Sequence, residues 1–366
     1  MFKIAILGGR GIPANYGGFD TFIEELSVRL AELDPFEIIV YCRKPYFKEK
    51  PKNFRGVNLI YLPAPRLKGL ESLIHSFLSS IHVLSKGVKV ILFVDPGNAP
   101  FCLLLKLFGK RVIVHTNGLG WKRLKWGKLA RRYYRFTERL CVQTSDAIIT
   151  DNPAMQEYYT TQYNAKSFLI SYGASNDAGF DTRVYKEYGL SEHGYLLVVA
   201  RLERENNTDL IVQEYVKSEV NMPLVVVGDS PYDPSYMNYL RELANERVHF
   251  VGRINDQARL NSLYRGAYLY IHGHEVGGTN PSLLRAMYAG AAPVVLNVPF
   301  NTSVIAGFGF IFEKKNGDLS KILKYLAGDY GNVRQSGEGA RAYALGHFSW
   351  DSVVKQYEEL FNRVGS

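Results

Sequence analysis

The residue types best suited to binding a phosphate lie in the second half of the sequence. A valine-rich segment ends in Arg201, and further along a histidine pair is followed by a glycine pair and by Asn280-Pro281. Asn280 is suited to cap a helix that Pro281 opens. Arg201, the positive end of this helix and its backbone N–H groups are together suited to hold a diphosphate. The other candidate anion-binding residues are Gly277, Gly278, Thr279 and Ser282.

A second glycine-rich segment follows the first predicted strand. Residues 9–14 match the G-x-G-x-x-A spacing of a dinucleotide-binding loop, but Pro13 and the pair Gly17-Gly18 lengthen this loop before the helix begins. The second strand ends in Arg43, where that fingerprint needs an acidic residue, so an NADP-dependent dehydrogenase stays open as an alternative. A long glycine loop before a helix is equally suited to hold phosphates without a nicotinamide.

His115 and Asn117 follow a predicted strand of the first half, and they are the candidate catalytic residues. Ligands of open α/β sheets bind at the carboxyl ends of strands, although a lone histidine is often a structural residue.

No metal site is predicted, because His272 and His274 are too few and lack an acidic partner at ligand spacing.

Short runs rich in valine and isoleucine alternate with helix-period segments along the chain, seven strands in the first half and six in the second. This alternation is typical of parallel sheets covered on both faces, and it is interrupted once, near residue 175. The pattern predicts an α/β protein of two doubly wound, Rossmann-like domains that face a central cleft. We expect an N-terminal domain over 1–175 and a C-terminal domain over 176–349, with a last helix at about 350–366 packing back on the first.

Composition narrows the cellular setting. The chain has 366 residues, 46% of them hydrophobic, and a formal net charge of +9, which favours an anionic partner. Its three cysteines are widely spaced in apolar segments, so a reducing cytoplasm is expected. The first residues resemble a buried strand more than a signal peptide, and no apolar run is long enough to cross a membrane.

The positive charge is concentrated in the first half. Residues 1–175 carry 25 Lys and Arg against 13 Asp and Glu, a net charge of +12, and residues 176–366 carry 19 against 22, a net charge of -3. A helix predicted over 124–144 and the residues before it mix cations with aromatic rings, as helices on anionic lipid do. A solvated helix face is the alternative, and nucleic acid is not favoured because no nucleic-acid-binding motif is present. The candidate acceptor-binding or membrane-binding residues are Asn15, Tyr16, Trp121, Lys122, Arg123, Lys125, Trp126, Lys128, Arg131 and Arg132.

The combined motifs resemble family 4 glycosyltransferases of the GT-B fold over essentially the whole chain. The residues that carry the resemblance are G-G-R-G-I-P-A-N-Y-G-G-F (8–19), V-A-R-L-E-R-E-N-N (199–207), G-G-T-N-P-S-L-L-R-A-M-Y-A-G-A-A-P-V-V (277–295) and the closing F-S-W (348–350). Two further segments, T-F-I-E-E-L (21–26) and N-G-L-G-W-K-R-L-K-W-G (117–127), are similar to the rhamnosyltransferase-like branch of bacterial polysaccharide synthesis.

The resemblance implies a nucleotide diphosphate-sugar donor held by the second domain and an acceptor held by the first. It also implies retention of anomeric configuration, no metal at the diphosphate and no bound cofactor. Arg201 would face the donor diphosphate, the segment 277–282 would line the sugar and phosphate, and Gly17 and Gly18 would let the first-domain loop approach. His115 and Asn117 would contact the sugar. The nucleotide base would lie along Val251, Gly252, Arg253 and Ile254.

Three positions depart from the family pattern. The usual Glu-Lys pair after the strand-end arginine is Glu205-Asn206, so the second diphosphate cation is missing. The Glu-x7-Glu frame falls on Gly277 and Arg285, and Glu275 lies two residues out of register. Since side chains lean toward the N-terminus of a helix, we hypothesise that Arg285 reaches back to the diphosphate. The alternative is that Arg285 pairs with Glu275 or Glu205.

The resulting expectation is a glycosyltransferase that moves a sugar, with L-rhamnose from dTDP-rhamnose as first choice, to a lipid-linked glycan in cell-surface polysaccharide synthesis. Such an enzyme would be cytoplasmic and peripheral at the inner face of the cell membrane. A nucleotide-sugar epimerase of the same fold and a scaffold protein that binds nucleotide sugars without catalysis are the alternatives.

Overall fold

The computed structural model describes residues 2–14, 18–65, 67, 70–123, 126–175, 178–230 and 233–366. The chain divides into two compact units. The first comprises Met1–Tyr172 and Trp350–Ser366, and the second comprises Gly173–Ser349.

An eight-stranded sheet forms the centre of the first unit. Its strands are β1 (Phe2–Leu7), β2 (Phe36–Arg43), β3 (Asn53–Phe54), β4 (Val57–Leu62), β5 (Val90–Val94), β6 (Arg111–Thr116), β7 (Ala147–Thr150) and β8 (Phe168–Leu169). Their order is β3-β4-β2-β1-β5-β6-β7-β8, and only the β3–β4 pair is antiparallel. The short edge strand β3 is additional to the seven predicted strands, because its two residues carry no periodicity that the sequence could reveal.

Five helices connect the strands of this unit: α1 (Gly18–Ala31), α2 (Glu71–Val83), α3 (Ala99–Leu107), α4 (Lys128–Thr144) and α5 (Pro153–Tyr163). The central strands read as continuous apolar runs because both of their faces are covered. Ile4 of β1, for example, is fully buried between Ile38 of β2 and Val90 of β5. A 3-10 turn at Gly120–Lys122 precedes α4, which begins four residues later than the predicted helix.

The second unit contains a six-stranded parallel sheet. Its strands are β9 (Leu196–Val199), β10 (Leu224–Val227), β11 (Val248–Gly252), β12 (Leu269–His272), β13 (Ala292–Leu296) and β14 (Phe310–Phe312). Their order is β11-β10-β9-β12-β13-β14. The helices are α6 (Arg183–Glu187), α7 (Thr208–Ser218), α8 (Pro234–Leu243), α9 (Gln257–Gly266), α10 (Pro281–Ala289), α11 (Pro299–Ile305), α12 (Asp318–Ala327) and α13 (Tyr330–His347).

The last helix, α14 (Trp350–Gly365), belongs to the first unit. The Phe22 ring of α1 lies 6.1 Å from the rings of both Trp350 and Tyr357, and Arg29 lies over Trp350. Tyr357 and Phe361 are fully buried. The amphipathic character of this segment therefore reflects an apolar face that covers α1. Among the described residues, no helix is long and apolar enough to cross a membrane.

Candidate functional site

In each sheet there is one topological switch point, a position where successive strands change from being added on one side to being added on the other. In the second unit this switch point lies between β9 and β12, and in the first it lies between β1 and β5. Connections leave neighbouring strands toward opposite faces at such a point, so a crevice opens beyond the strand ends. Arg201 follows β9 and the segment 273–282 follows β12, so the two predicted phosphate-binding segments of the second unit flank one crevice.

Two asparagines hold the turn after β9, and one of them, Asn206, stands where the resembling family has a lysine. The Asn206 amide donates to the carbonyl oxygen of Arg201 at 2.7 Å, and Asn206 is only 4% exposed. Asn207, in the left-handed region with φ 52°, donates to the Gly273 carbonyl at 2.9 Å. The Arg201 side chain remains 40% exposed and lies 3.4 Å from Glu203. Asn206 therefore fixes the backbone that carries the cation.

The loop after β12 packs tightly against this turn. A Cβ on Gly273 would lie 2.7 Å from the Asn206 carbonyl oxygen, so only glycine fits there. The backbone N–H of Glu275 donates to the Glu205 carbonyl at 3.1 Å. The Glu275 carboxylate accepts from Asn207 at 3.2 Å and forms an ion pair with Lys314 at 2.8 Å.

Lys314 was not among the predicted site residues. It follows β14, two strands away from β12, and only the sheet order brings it to the same edge. Its side chain is 55% exposed. The sequence contains no local signal for this residue, because its partner Glu275 lies 39 positions earlier in the chain.

The backbone N–H groups available to a ligand are those of Gly277 and Gly278, and not those of the first turn of α10. The first-turn N–H groups of α10 are all bonded: that of Ser282 to the Asn280 side chain, and those of the next two residues to the Asn280 carbonyl. The Ser282 hydroxyl donates to Asn280 and accepts from Tyr270, both at 2.8 Å. In the part of the chain that the structure describes, the N–H groups of Gly277 and Gly278 have no protein partner. Thr279 beside them is buried.

Two neutral histidines lie beneath this loop. The rings of His272 and His274 stack with centroids 4.2 Å apart. Burial and the nearby charge of Arg201 lower the pKa of His274 to about 3, and burial together with His274 holds the pKa of His272 well below its usual range. The Nδ1 atom of His274 has no hydrogen-bond partner within the described residues. His274 therefore offers an uncharged polar atom beside Arg201.

Arg285 extends toward α9, where its guanidinium donates to Gln257 at 2.8 Å and to Asn261 at 2.6 Å. It also lies over the Tyr264 ring, 5.5 Å from the centroid. Two amide oxygens thus occupy it, and this arrangement does not favour the hypothesis that Arg285 compensates for the missing diphosphate cation. Its predicted partner Glu275 pairs with Lys314.

The predicted base segment lies at the end of the edge strand β11, which β10 separates from β9. Gly252 ends β11 with φ 70°, and its carbonyl accepts from the N–H of Gly228 at 2.9 Å. Gly252 and Arg253 are exposed, while Val251 and Ile254 are half-buried. Helix α9 begins three residues after Ile254, so Arg285 and its amide partners adjoin this segment.

In the first unit, acidic side chains occupy the glycine loop that follows β1. Asp20 of α1 accepts from the N–H of Arg10 at 3.3 Å, and Glu24 accepts from the N–H of Ala14 at 2.5 Å. Burial raises the pKa of Asp20 to about 6, against the opposing charges of Arg10 and Arg43. The prediction that this loop cradles phosphate is therefore not supported at these donors. Gly18 is the exposed first residue of α1, whereas Asn15, Tyr16 and Gly17 lie outside the described residues.

Arg43 is engaged within the protein. Its guanidinium bonds the Glu71 carboxylate at 3.2 Å, the Ser72 hydroxyl at 2.9 Å and the Gly8 carbonyl at 3.1 Å, and the side chain is 11% exposed. A 2'-phosphate would need these donors free. The arrangement therefore argues against the dehydrogenase alternative.

His115 ends deep within the first unit. It is fully buried, with its ring stacked 5.1 Å from Phe22 and 5.7 Å from Phe19. Burial lowers its pKa to about 3, and neither ring nitrogen has a hydrogen-bond partner among the described residues. These surroundings give the prediction of a catalytic His115 no support. Sequence periodicity could not reveal the burial of His115, because the phenylalanine rings that cover it come from α1, which is distant in the sequence.

Asn117 lines a small cavity beyond β6 with Asp95, Arg123 and Tyr134. The cavity offers about 20 Å³, room for a water molecule and not for a sugar. Asn117 and His115 lie one strand away from the β1–β5 switch point.

The basic segment forms an open surface on α4 and the turn before it. Lys122, Lys128 and Arg132 are exposed, and Trp121, Arg123, Trp126 and Arg131 are half-buried. Lys125 lies outside the described residues. Across the described part of the chain, no group of three or more histidine, cysteine or acidic side chains is placed to hold a metal ion.

Family models match both halves of the chain. Residues 1–175 match a domain of unknown function, DUF1972, and residues 185–342 match the glycosyl transferases group 1. The second unit thus carries a group 1 glycosyl transferase domain. The chain has the GT-B fold, and this match, together with its glycosyltransferase relatives, supports a glycosyltransferase.

Relatives of this class extend over the whole chain. An uncharacterized glycosyltransferase of Methanocaldococcus jannaschii is 22% identical over 99% of this chain and 98% of its own length. The solved structure of sucrose-phosphate synthase from Thermosynechococcus elongatus has a TM-score of 0.83 at 18% identity, covering 100% of this chain and 99% of its own. Anabaena HepE, solved in complex with UDP-glucose, has a TM-score of 0.77 at 13% identity, covering 99% of this chain and 100% of its own. At these identities the structural likeness shows the fold.

Proposed function

We propose that this glycosyltransferase takes a sugar from a nucleotide diphosphate donor held at the β9–β12 switch point. The placement of Arg201 after β9, and of the unbonded Gly277 and Gly278 N–H groups after the neighbouring strand β12, carries this proposal. A diphosphate needs cationic and backbone donors in a fixed frame, and the Asn206 and Asn207 hydrogen bonds supply that frame. The complexes of HepE with UDP and UDP-glucose support a donor of this chemical class.

In this proposal the site acts on the leaving group. As the glycosidic bond breaks, negative charge grows on the diphosphate, and prepositioned donors stabilise it without reorganising. The Arg201 guanidinium and the glycine N–H groups face that charge. His274 is neutral at physiological pH, so it adds no charge of its own beside Arg201. We expect the anomeric configuration to be retained.

For the sugar and the acceptor we propose L-rhamnose from dTDP-rhamnose and a lipid-linked glycan of cell-surface polysaccharide. The surface of α4 supports an acceptor held at a membrane. Its exposed residues alternate cations with apolar side chains, Leu129 being 83% and Phe136 59% exposed. Such a face suits the headgroup layer of an anionic membrane at the cytoplasmic side.

The test is release of the nucleotide diphosphate. We would incubate the purified protein with dTDP-rhamnose, UDP-glucose and GDP-mannose, each with and without a lipid-linked glycan acceptor, and identify the products. Transfer predicts acceptor-dependent release from one donor, with the product anomer read by NMR. Sugar isomerisation without transfer would identify an epimerase instead. Absence of any turnover beside clear donor binding would identify a non-catalytic scaffold.

A matched pair of variants ties turnover to the site. Arg201→Gln removes the cation beside the glycine pair, and we expect kcat/KM to fall about 10²-fold, the usual cost of one transition-state donor. Arg183→Gln removes an exposed arginine of the same unit that pairs with Asp181, and it should leave turnover unchanged. Equal activity of both variants would overturn the site assignment.

A further inference from the structure

A groove of about 670 Å³ lies between α4 and α5 of the first unit. Trp121, from the turn before α4, closes one end. The remaining lining residues are Lys122, Arg135, Phe136, Arg139, Tyr158, Gln162 and Tyr163. Only Trp121 and Lys122 of this lining were among the predicted site residues.

The floor of the groove is a hydrogen-bonded layer over a buried carboxylate. Tyr158 and Tyr163 donate to the same Glu138 oxygen at 3.0 and 3.1 Å, and the Trp121 indole N–H donates to Tyr158 at 3.3 Å. Glu138 itself is fully buried. Burial raises its pKa to about 7, so at neutral pH it carries only part of its negative charge. The charge of Arg135, which lines the groove, opposes this rise of the pKa.

The mouth of the groove carries three cations. The Arg135 guanidinium stacks on Trp121 with its carbon 4.2 Å from the ring centroid, and Lys122 approaches the same ring at 5.5 Å. Neither Lys122 nor Arg139 forms an ion pair with any described residue. Stacking on the ring fixes the orientation of the Arg135 guanidinium and leaves its N–H groups available as hydrogen-bond donors. The arrangement suits a compact anion with several acceptor oxygens, which is the chemistry of a phosphate ester.

The surroundings of the groove indicate where that phosphate comes from. Phe136 lines the groove and is 59% exposed, and Leu129, two turns earlier on α4, is 83% exposed. These apolar side chains flank the cationic mouth, as they would if α4 lay on a lipid surface. We propose that the α4–α5 groove binds the phosphate of an anionic phospholipid headgroup and thereby orients the first unit on the membrane. This inference rests on the membrane contact in the proposed function.

Binding to vesicles tests the proposal with a matched pair of double variants. Arg135→Gln/Arg139→Gln removes two charges that line the groove, and Lys128→Gln/Arg132→Gln removes two exposed charges of the same helix that do not. Diffuse attraction contributes about 1 kcal/mol per cation, so it would weaken binding about 30-fold in both doubles. A headgroup site predicts that the groove double loses at least tenfold more affinity than its control. Sedimentation with phosphatidylglycerol vesicles, against phosphatidylcholine vesicles, measures both.

Three further arms make the outcome decisive. Equal losses in the two doubles would overturn the groove as a site. Soluble glycerophosphoglycerol should compete with vesicles for the wild-type chain, and saturation of the groove by it without any loss of vesicle binding would assign a free phosphate ester instead. If thermal unfolding shows that the groove double is unfolded, Lys122→Gln against Lys128→Gln repeats the comparison with single, exposed changes. The vesicles contain no donor or acceptor, so failure of sugar transfer leaves this result unaffected.

Discussion

Asn206→Lys is the substitution that most directly tests how the donor site is built. The resembling family carries a lysine here, so simple charge counting predicts that the change restores a lost diphosphate cation. The structure predicts the opposite. Asn206 is 4% exposed, and its amide holds the Arg201 carbonyl at 2.7 Å. A lysine would remove that bond and force an ammonium group either into the interior or out through the Arg201 turn.

The magnitude follows from these two losses. Leaving a buried carbonyl without its donor costs about 1–3 kcal/mol, and partial burial of the ammonium adds to this. We therefore expect a loss of about 2–4 kcal/mol, which for a unit of this size lowers the midpoint of thermal unfolding by roughly 4–16 °C. The donor KM should rise about tenfold, a coupling of about 1.4 kcal/mol, because the turn no longer fixes Arg201.

Differential scanning calorimetry and nucleotide release measure the two effects. Asn206→Ala, which removes the bond without adding charge, should lose about 1–3 kcal/mol. Asn255→Lys makes the same chemical change at an exposed position and should leave both quantities unchanged. An Asn206→Lys protein of wild-type stability with a lower donor KM would refute the reasoning, since it would show that the position is an open cation site.

Three other changes test the frame around the two switch points. Gly273→Ala places a Cβ 2.7 Å from the Asn206 carbonyl and should cost about 1–3 kcal/mol in urea denaturation, whereas Gly331→Ala, with open space around its Cβ, should cost nothing. Arg43→Gln leaves a carboxylate, a hydroxyl and a carbonyl without their shared donor, and we expect a loss of about 2–4 kcal/mol at constant m-value. Asp20 has a folded pKa of about 6 against 3.8, so its contribution to stability is present below pH 4 and is lost as the pH rises to 6. Asp20→Asn should therefore raise the free energy of unfolding at pH 8 by up to about 3 kcal/mol and have little effect at pH 4, and an equal effect at both values would contradict the burial argument.

Much of the fold was predictable from the sequence because the strands of parallel sheets are buried on both faces. Of the fourteen strands that the structure describes, thirteen were predicted as short apolar runs, and the missing one, β3, has only two residues. The Asn280 cap was also predictable, since a cap depends on residues two or three positions apart. Apolar periodicity and helix capping involve residues that are close in the sequence, so the sequence is enough to predict them.

The partners of individual side chains were much less predictable. Arg285 bonds α9 and not the glycine pair, and Arg43 is enclosed by residues about 30 positions away. His115 is a buried ring, although its place at a strand end is where ligands bind. Sequence spacing gives the end of a strand but not which distant helix covers it.

By itself, then, the sequence determined two doubly wound sheets, the strand-end Arg201 and the glycine pair before α10, because periodicity and capping act over a few residues. Only the tertiary structure decided that β9 and β12 are neighbours and that Lys314 pairs with Glu275. It also showed that Asn206, where the family has a cation, bonds the Arg201 backbone carbonyl. The strand order and the Lys314 contact depend on segments up to about 70 positions apart, such as Leu196 and Leu269, which no local pattern encodes.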